Sequence, residues 1–177
     1  VKLAVRWLPF QLAPDVPERG VPRKAYMERK FGAAGLSGAH QRLENIGREV
    51  GVAFNFEGIE VQPNTLEAHR LMHYAEQQDC ADDVAEALFK AYFIDGENIS
   101  DPATLVAIGA NAGLARGALE TWLAGDSDRE QVSAQIAEVQ RGGVSGVPFF
   151  IFNRRYAVSG AQEPQALLGA MREALKP

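Results

Sequence analysis

Cysteine is almost absent from this chain. The single Cys80 among 177 residues excludes an intramolecular disulfide and any multi-cysteine zinc site. Histidine is nearly as scarce, at three residues. No apolar run approaches the ~18 residues that a membrane-spanning helix requires, so no membrane partner is expected. An excess of positive charge is missing too. Eighteen Lys and Arg face 23 Asp and Glu, for a net charge of −5 and a pI near 5.3, so no nucleic-acid partner is expected. There is no internal repeat and no low-complexity tract. No Gly-x-Ser-x-Gly elbow occurs, and Gly142, Gly143 and Gly146 lack phosphate-loop spacing, which leaves no serine hydrolase or nucleotide site. The chain opens on Val1 rather than Met, directly in a strand-like run. The expectation is that something upstream has been removed or left out; no signal peptide is visible, although a missing amino terminus would hide one.

What remains is ordinary globular composition, 46% hydrophobic and 23% charged. The length suits one domain, or one domain carrying an insertion, able to bury roughly 70% of its unfolded surface. Charge is unevenly spread. Residues 1–35 hold seven basic residues (Lys2, Arg6, Arg19, Arg23, Lys24, Arg29, Lys30) against Asp15, Glu18 and Glu28, a segment charge of +4. The other eleven basic and twenty acidic residues leave −9. Such a basic segment reads as a solvated surface, with an anion or thiolate site nearby as the functional alternative.

Val1, Leu3, Val5 and Trp7 alternate with Lys2, Ala4 and Arg6, the period of a half-buried strand over Val1–Leu8. Pro9, Pro14, Pro17 and Pro22 then predict a loop. From there to Gly142 the sequence reads as helices. Tyr26, Met27 and Phe31 mark a short one, and Leu43, Ile46 and Val50 a second, beyond a Gly32–Gly38 break. Asn64 with Glu67 signals a helix start, and Ala68, Leu71, Met72 and Ala75 give its buried stripe. Val84, Leu88, Ala91 and Tyr92 carry the next helix, ending before Asp95-Gly96. Asp101-Pro102 caps and opens another, which ends at Gly113. Leu119, Trp122 and Leu123 carry one to Gly125. Ser127 with Glu130 predicts a capping box ahead of Val132, Ile136 and Val139. The period then changes: Phe149–Phe152 and Tyr156–Val158 read as strands around a two-residue Asn153-Arg154 turn. Pro164 opens a last helix containing Leu167, Leu168, Met171 and Leu175. An isolated strand far from its hairpin has to pair across the helical block, so that block is an insertion into an α/β core.

Few residues carry chemistry. His69 and His73 are four apart on one helix, the spacing of a metal pair. The run His-Arg-Leu-Met-His lacks the Glu of a zinc hydrolase, however, and the third histidine, His40, is distant in sequence. They read as half-buried or capping histidines, and no metal is expected. Cys80 lies between Asp79 and Asp82-Asp83, where negative charge raises a thiol pKa. It reads as an incidental helix-terminus residue.

The most informative stretch is Gly146-Val147-Pro148-Phe149-Phe150, followed by Tyr156-Ala157-Val158-Ser159-Gly160-Ala161-Gln162. It resembles the carboxy-terminal half of the DsbA-like thioredoxin family, with the bacterial FrnE-like branch of dithiol–disulfide oxidoreductases the best fit. Arg6-Trp7-Leu8-Pro9-Phe10-Gln11-Leu12 resembles the family's second strand and loop. Pro63-Asn64-Thr65 with Ala68-His69-Arg70-Leu71 resembles the start of its insertion helix, and Ala91-Tyr92-Phe93 the end of another. The resemblance implies an α/β thioredoxin-like fold with a large all-helical insertion. Residues 1–21 and 144–177 would form the core and residues 22–143 the insertion. It implies that Pro148 is a cis-proline facing the catalytic disulfide and that the Val147 backbone pairs with an extended substrate. Phe10, Asn64 and Gln162 are the further substrate-binding candidates.

The family's catalytic Cys-x-x-Cys, after the first strand, is not in this sequence, so the catalytic residues are expected upstream of Val1. The missing strand would lie centrally, between the Val1–Leu8 strand and the hairpin. The chain alone is therefore expected to be a fragment of the working protein. The implied activity is thiol–disulfide oxidoreductase or isomerase, with a protein or small-molecule disulfide as substrate, a cytoplasmic location, and a homodimer compatible with it. No cofactor is required. Glutathione is the open alternative, because the related 2-hydroxychromene-2-carboxylate isomerases and kappa-class glutathione transferases share the cis-proline, the insertion and an Asn like Asn64. Those relatives typically place an Asp where this chain has Gln162, which weakens a γ-glutamyl contact, although helix N–H groups still bind carboxylates. A non-catalytic peptide-binding module is the third reading.

Overall fold

The computed structural model describes residues 3–32 and 36–176. In order, the elements are β1 (Val21–Pro22), α1 (Arg23–Phe31), α2 (Leu36–Val50), a 3-10 turn (Phe56–Gly58), β2 (Val61–Gln62), α3 (Leu66–Glu76), α4 (Ala81–Phe93), α5 (Pro102–Asn111), α6 (Arg116–Ala124), α7 (Arg129–Arg141), β3 (Phe149–Phe152), β4 (Tyr156–Ser159) and α8 (Pro164–Ala174). The chain divides into two compact units, Val1–Trp7 with Ala13–Ser133, and Leu8–Leu12 with Ala134–Pro177.

The first unit is helical because its apolar residues recur at helical spacing, and one helix start, that of α5, carries a side-chain cap. Asp101 accepts from the Thr104 N–H at 2.9 Å, and Pro102 follows at the first helical position, so α5 starts where the sequence places it. At α3 the cap residue is Thr65 rather than the expected Asn64, whose Oδ1 accepts from the Leu66 N–H at 2.9 Å one residue ahead of it. The buried stripes of α3 to α6 meet in one core around Leu71, Val84, Leu105 and Leu119, all without solvent contact. Gly109 lets α5 approach α6: a Cβ there would sit 2.6 Å from a Leu119 methyl.

One charged group lies inside this unit. Arg70 on α3 is fully buried. Its Nη2 donates to the carbonyls of Gly125 at 2.8 Å and Ser127 at 2.7 Å, and its Nε donates to Ser127 at 3.1 Å. Its Nη1 pairs with Glu67, and the guanidinium lies 4.6 Å from the Trp122 ring centroid. Glu67 is held in turn by Arg129 at 2.8 Å. A buried charge is tolerated only when its donors are answered this fully.

The second unit is a hairpin and a helix. β3 and β4 pair antiparallel, Phe149 opposite Ser159 and Phe152 opposite Tyr156, and α8 packs on them. The Asn153 amide donates to the Ala174 carbonyl at 3.1 Å, and Arg155 donates to the Lys176 carbonyl at 2.6 Å. These bonds tie the turn to the end of α8.

Four local expectations are corrected. The strand expected over Val1–Leu8 is absent from its described part. Val1 and Lys2 lie outside the described residues, and residues 3–8 form no ladder. Leu3, Val5 and Trp7 are 61, 66 and 42% exposed, because alternation makes a strand only where a neighbouring strand pairs with it. The hairpin loop has three residues, not two. Asn153 and Arg154 both take positive φ (52° and 56°), and the Arg155 N–H closes the turn onto Phe152 at 3.0 Å. The Ser127–Glu130 capping box is replaced: α7 starts at Arg129 after Asp128 at φ 58°, since the Ser127 carbonyl is turned toward Arg70. The region read as loop and helices also holds a short antiparallel bridge, Val21 opposite Gln62 and Pro22 opposite Val61. Of the Gly32–Gly38 break, residues 33–35 lie outside the described residues, and α2 is already helical from Leu36.

Two outcomes follow for the first unit. Arg70→Ala leaves Glu67 and three main-chain carbonyls short of a donor, and should cost about 3–5 kcal/mol in urea unfolding. Arg70→Lys should restore little of it, since an ammonium cannot reproduce the fork. Tyr92, 7% exposed, accepts from Arg23 at 2.8 Å. Burial pushes its phenol above the ordinary tyrosine range, against the lowering effect of Arg23. The folded state then holds its proton longer than the unfolded state. This contribution is complete below the ordinary value near 10 and is lost as pH rises through the raised one. Thermal melts above about pH 10 should fall more steeply for the native chain than for Tyr92→Phe.

Candidate functional site

The sequence candidates gather at the open end of the hairpin in the second unit. Gly143, at φ 90°, ends α7, and Val144 is buried immediately after it. The chain then surfaces, with Val147 49% exposed and Pro148 exposed. The Val147–Pro148 peptide bond is cis, as expected. The Pro148 carbonyl accepts from the Gly160 N–H at 2.8 Å, one step beyond the Phe149–Ser159 pair. That bond sets Gly160–Gln162 beside Val147–Pro148. Gly160 takes φ 82°, a conformation that suits glycine, where the chain turns from β4 toward α8.

Gln162 is exposed, and its Nε2 donates to the Ser159 carbonyl at 3.0 Å. Its amide is therefore engaged in shaping the turn. The residues that follow are Glu163 at the cap and Pro164 at the first helical position of α8. They set a carboxylate at that helix end and remove one of its N–H donors. Phe10 is half-buried in the Leu8–Leu12 segment of the same unit.

Asn64 belongs to the first unit. Its Nδ2 donates to the Val16 carbonyl at 2.6 Å while its Oδ1 accepts from the Leu66 N–H. One amide thus joins the proline-rich loop to the start of a helix, which is a structural task. The structure therefore brings together Val147, Pro148 and Gln162, with Phe10 in the same unit, and gives Asn64 its own place.

Sequence reading missed the partners of the basic and aromatic residues before Ala13. Trp7 donates from Nε1 to Asp82 at 2.7 Å and tilts against Phe89, and Arg6 pairs with Glu76 at 3.2 Å. No local pattern signals a bond spanning 75 residues. Arg70 was visible only as part of a motif. The i,i+3 spacing of Glu67 and Arg70 was the available signal for their pairing.

Chemically, this end of the hairpin offers main-chain groups, a proline surface and an apolar strand. Among the described residues it offers no thiol. Cys80 lies in the first unit, at the cap of α4. Burial is the larger reason its thiol is pushed up, followed by the charges of Asp83 and Asp79. The sequence reading had credited charge alone. A helix amino terminus usually lowers a thiol pKa, and here desolvation and the two carboxylates outweigh it. His40 stacks on Phe56 with centroids 4.6 Å apart. Among the described residues no group of three or more His, Cys, Asp or Glu is placed to hold a metal ion. None of the described helices is long and apolar enough to cross a membrane.

The sequence profile of the DSBA-like thioredoxin domain matches residues 1–172. The chain belongs to that family. The DSBA-like fold, mostly helical with a few short strands, is borne out by comparison with the crystal structure of a probable DsbA oxidoreductase from Streptomyces coelicolor. The two superpose with a TM-score of 0.86 at 26% identity, over 94% of this chain and 73% of that one. Among curated sequences, the uncharacterized protein YwbO of Bacillus subtilis (strain 168) is 25% identical over 155 residues, covering 83% of this chain and 70% of its own length.

Within this DSBA-like chain Cys80 should behave as an inert thiol. With an aromatic disulfide reagent near pH 8 it should react more slowly than free cysteine, and Asp83→Asn with Asp79→Asn should accelerate it.

Proposed function

We propose that this DSBA-like domain is the substrate-holding part of a thiol–disulfide oxidoreductase acting on protein or small-molecule disulfides. In this reading, the redox dithiol is supplied by polypeptide preceding Val1. The observation that carries the reading is the exposed Val147–Pro148 step at the entry to β3. Among the described residues no main-chain group bonds Val147, and β3 pairs only with β4. An extended peptide flanking a disulfide can add to such an edge by main-chain bonds, with Val147 offering apolar contact. Proline has no N–H, so Pro148 brings no competing donor to that face.

The exchange itself is ordinary thiol chemistry. A thiolate of the incoming dithiol attacks one sulfur of the substrate disulfide, forms a mixed disulfide and expels the other sulfur as thiolate. The second thiol then displaces the substrate and leaves an oxidised pair. Cys80 is given no part in this reading, because burial and the charges of Asp83 and Asp79 push its thiol pKa up and so disfavour the nucleophilic thiolate. The open edge of β3 supports a strand contributed from outside the described residues.

Glutathione is the less favoured ligand. Its γ-glutamyl carboxylate would meet the Glu163 carboxylate at the start of α8, and the Gln162 amide is already bonded to Ser159.

The deciding experiment uses the full open reading frame. Two thiols beyond Cys80 should titrate after reduction, and the protein should catalyse disulfide exchange on a disulfide-bonded peptide. Cys80→Ser should leave that rate unchanged, and Val147→Pro should lower it roughly tenfold through the lost main-chain bond. A reading frame without additional thiols, or without exchange activity, overturns the proposal. Micromolar glutathione binding in calorimetry, lost on Gln162→Ala, would move the assignment to glutathione chemistry.

A further inference from the structure

Helix α2 turns its large apolar residues the wrong way. A helix on the surface of a domain normally buries such residues and exposes its small and polar ones. Among the described side chains of α2, His40, stacked on Phe56, and buried Gly47 face its own unit. Gly47 allows a very close approach: a Cβ there would lie 2.5 Å from the Val52 carbonyl and 2.7 Å from the Phe54 ring. Leu43, Ile46 and Val50 meanwhile face solvent at 45, 50 and 70% exposure. Their spacing of three and four is a coiled-coil seam, with Leu43 and Val50 at a and Ile46 at d. Arg42 and Glu49 then occupy successive g positions on the flank away from Gly47. Both are exposed, and neither forms an ion pair within the chain among the described residues.

We propose that α2 is a self-association surface, pairing antiparallel with α2 of a second copy of this chain. Charge complementarity selects the occupant and the direction. In an antiparallel pair the g positions face each other, so Arg42 of each copy lies beside Glu49 of the other, and the surface complements itself about a two-fold axis. A parallel pair would set g against e, where Gly47 and His40 offer no opposite charge and are covered by their own domain. The 15-residue helix is about 22 Å long, room for a few seam layers. Such an area falls at or below the lower end of specific interfaces, so the dimer should be reversible, with a dissociation constant on the order of micromolar. The proposal is independent of the redox reading.

Sedimentation equilibrium up to roughly a hundredfold above that constant tests it. The native chain should show a monomer–dimer equilibrium. Ile46→Glu should abolish the dimer, and so should Arg42→Glu or Glu49→Arg alone. Arg42→Glu combined with Glu49→Arg should restore it, with melting curves confirming that every variant is folded. Should Ile46→Glu disturb folding, the charge variants decide alone. A monomer across the whole range overturns the proposal, as does a dimer that survives Arg42→Glu. Failure of the double reversal to restore pairing overturns the antiparallel arrangement.

Discussion

Arg70 has no contact with water, and a guanidinium carries five donors that the protein alone has to satisfy. The carbonyls that do so belong to Trp122, Gly125 and Ser127, all in the connection from α6 to α7, and the carboxylate belongs to Glu67, one turn back on α3. That demand shapes the connection. The carbonyls converge on a point inside the first unit, and the chain leaves through Asp128 at positive φ before α7 begins. Arg129 at the head of α7 then meets Glu67, Asp126 and Glu18, drawing the proline-rich loop into the same network. One buried charge thus fixes a helix, a connection and a loop that hydrophobic burial alone would leave free to slide.

The helices were legible because their apolar stripes and the glycine or proline breaks between them are local signals. Val84, Leu88, Ala91 and Tyr92 were expected on one face of α4 and are all buried. The hairpin was legible from its change of period, and its turn was misjudged by one residue, because Phe152 pairs with Tyr156 and leaves Arg155 in the loop with Asn153 and Arg154. What the sequence concealed depends on distant partners. Ser127 looks like a cap until Arg70, 57 residues earlier, claims its carbonyl. Val21–Pro22 and Val61–Gln62 are too short to show a period of two, and they exist only because they meet. The Leu3–Trp7 alternation erred the other way, since the pattern states what a strand would bury and not whether a neighbour pairs with it.

The candidate site divides along the same line. The Val147–Pro148 step was legible from a compact motif, and the register of β3 and β4 places Gln162 beside it. The use of Gln162 was not legible: its amide closes on the Ser159 carbonyl three residues back, a choice made by the turn at Gly160. Asn64 carries a similar lesson. Both ends of its amide hold main chain, one at Val16 and one at Leu66. An amide that answers two main-chain groups is selected for geometry, whatever else approaches it.

The two units are stabilised by different means. Sixteen buried residues form the core of the first unit, so its shape follows from side-chain packing. In the second unit every residue of the hairpin keeps at least partial exposure, and Ile151 remains 48% exposed. A hairpin with so little burial is marginal by itself. Its geometry is set instead by directional bonds: Gly160 to Pro148 at the open end, Asn153 to Ala174 and Arg155 to Lys176 at the turn. Hydrogen bonds orient more sharply than apolar contact does, because they weaken steeply off axis. The segment that presents Val147 is thus aimed by main-chain and turn bonds, while its apolar surface stays uncovered. In the proposed reading, a surface that receives an extended peptide needs that combination of fixed backbone direction and unburied side chains, and a fully packed strand would have neither edge nor face to offer.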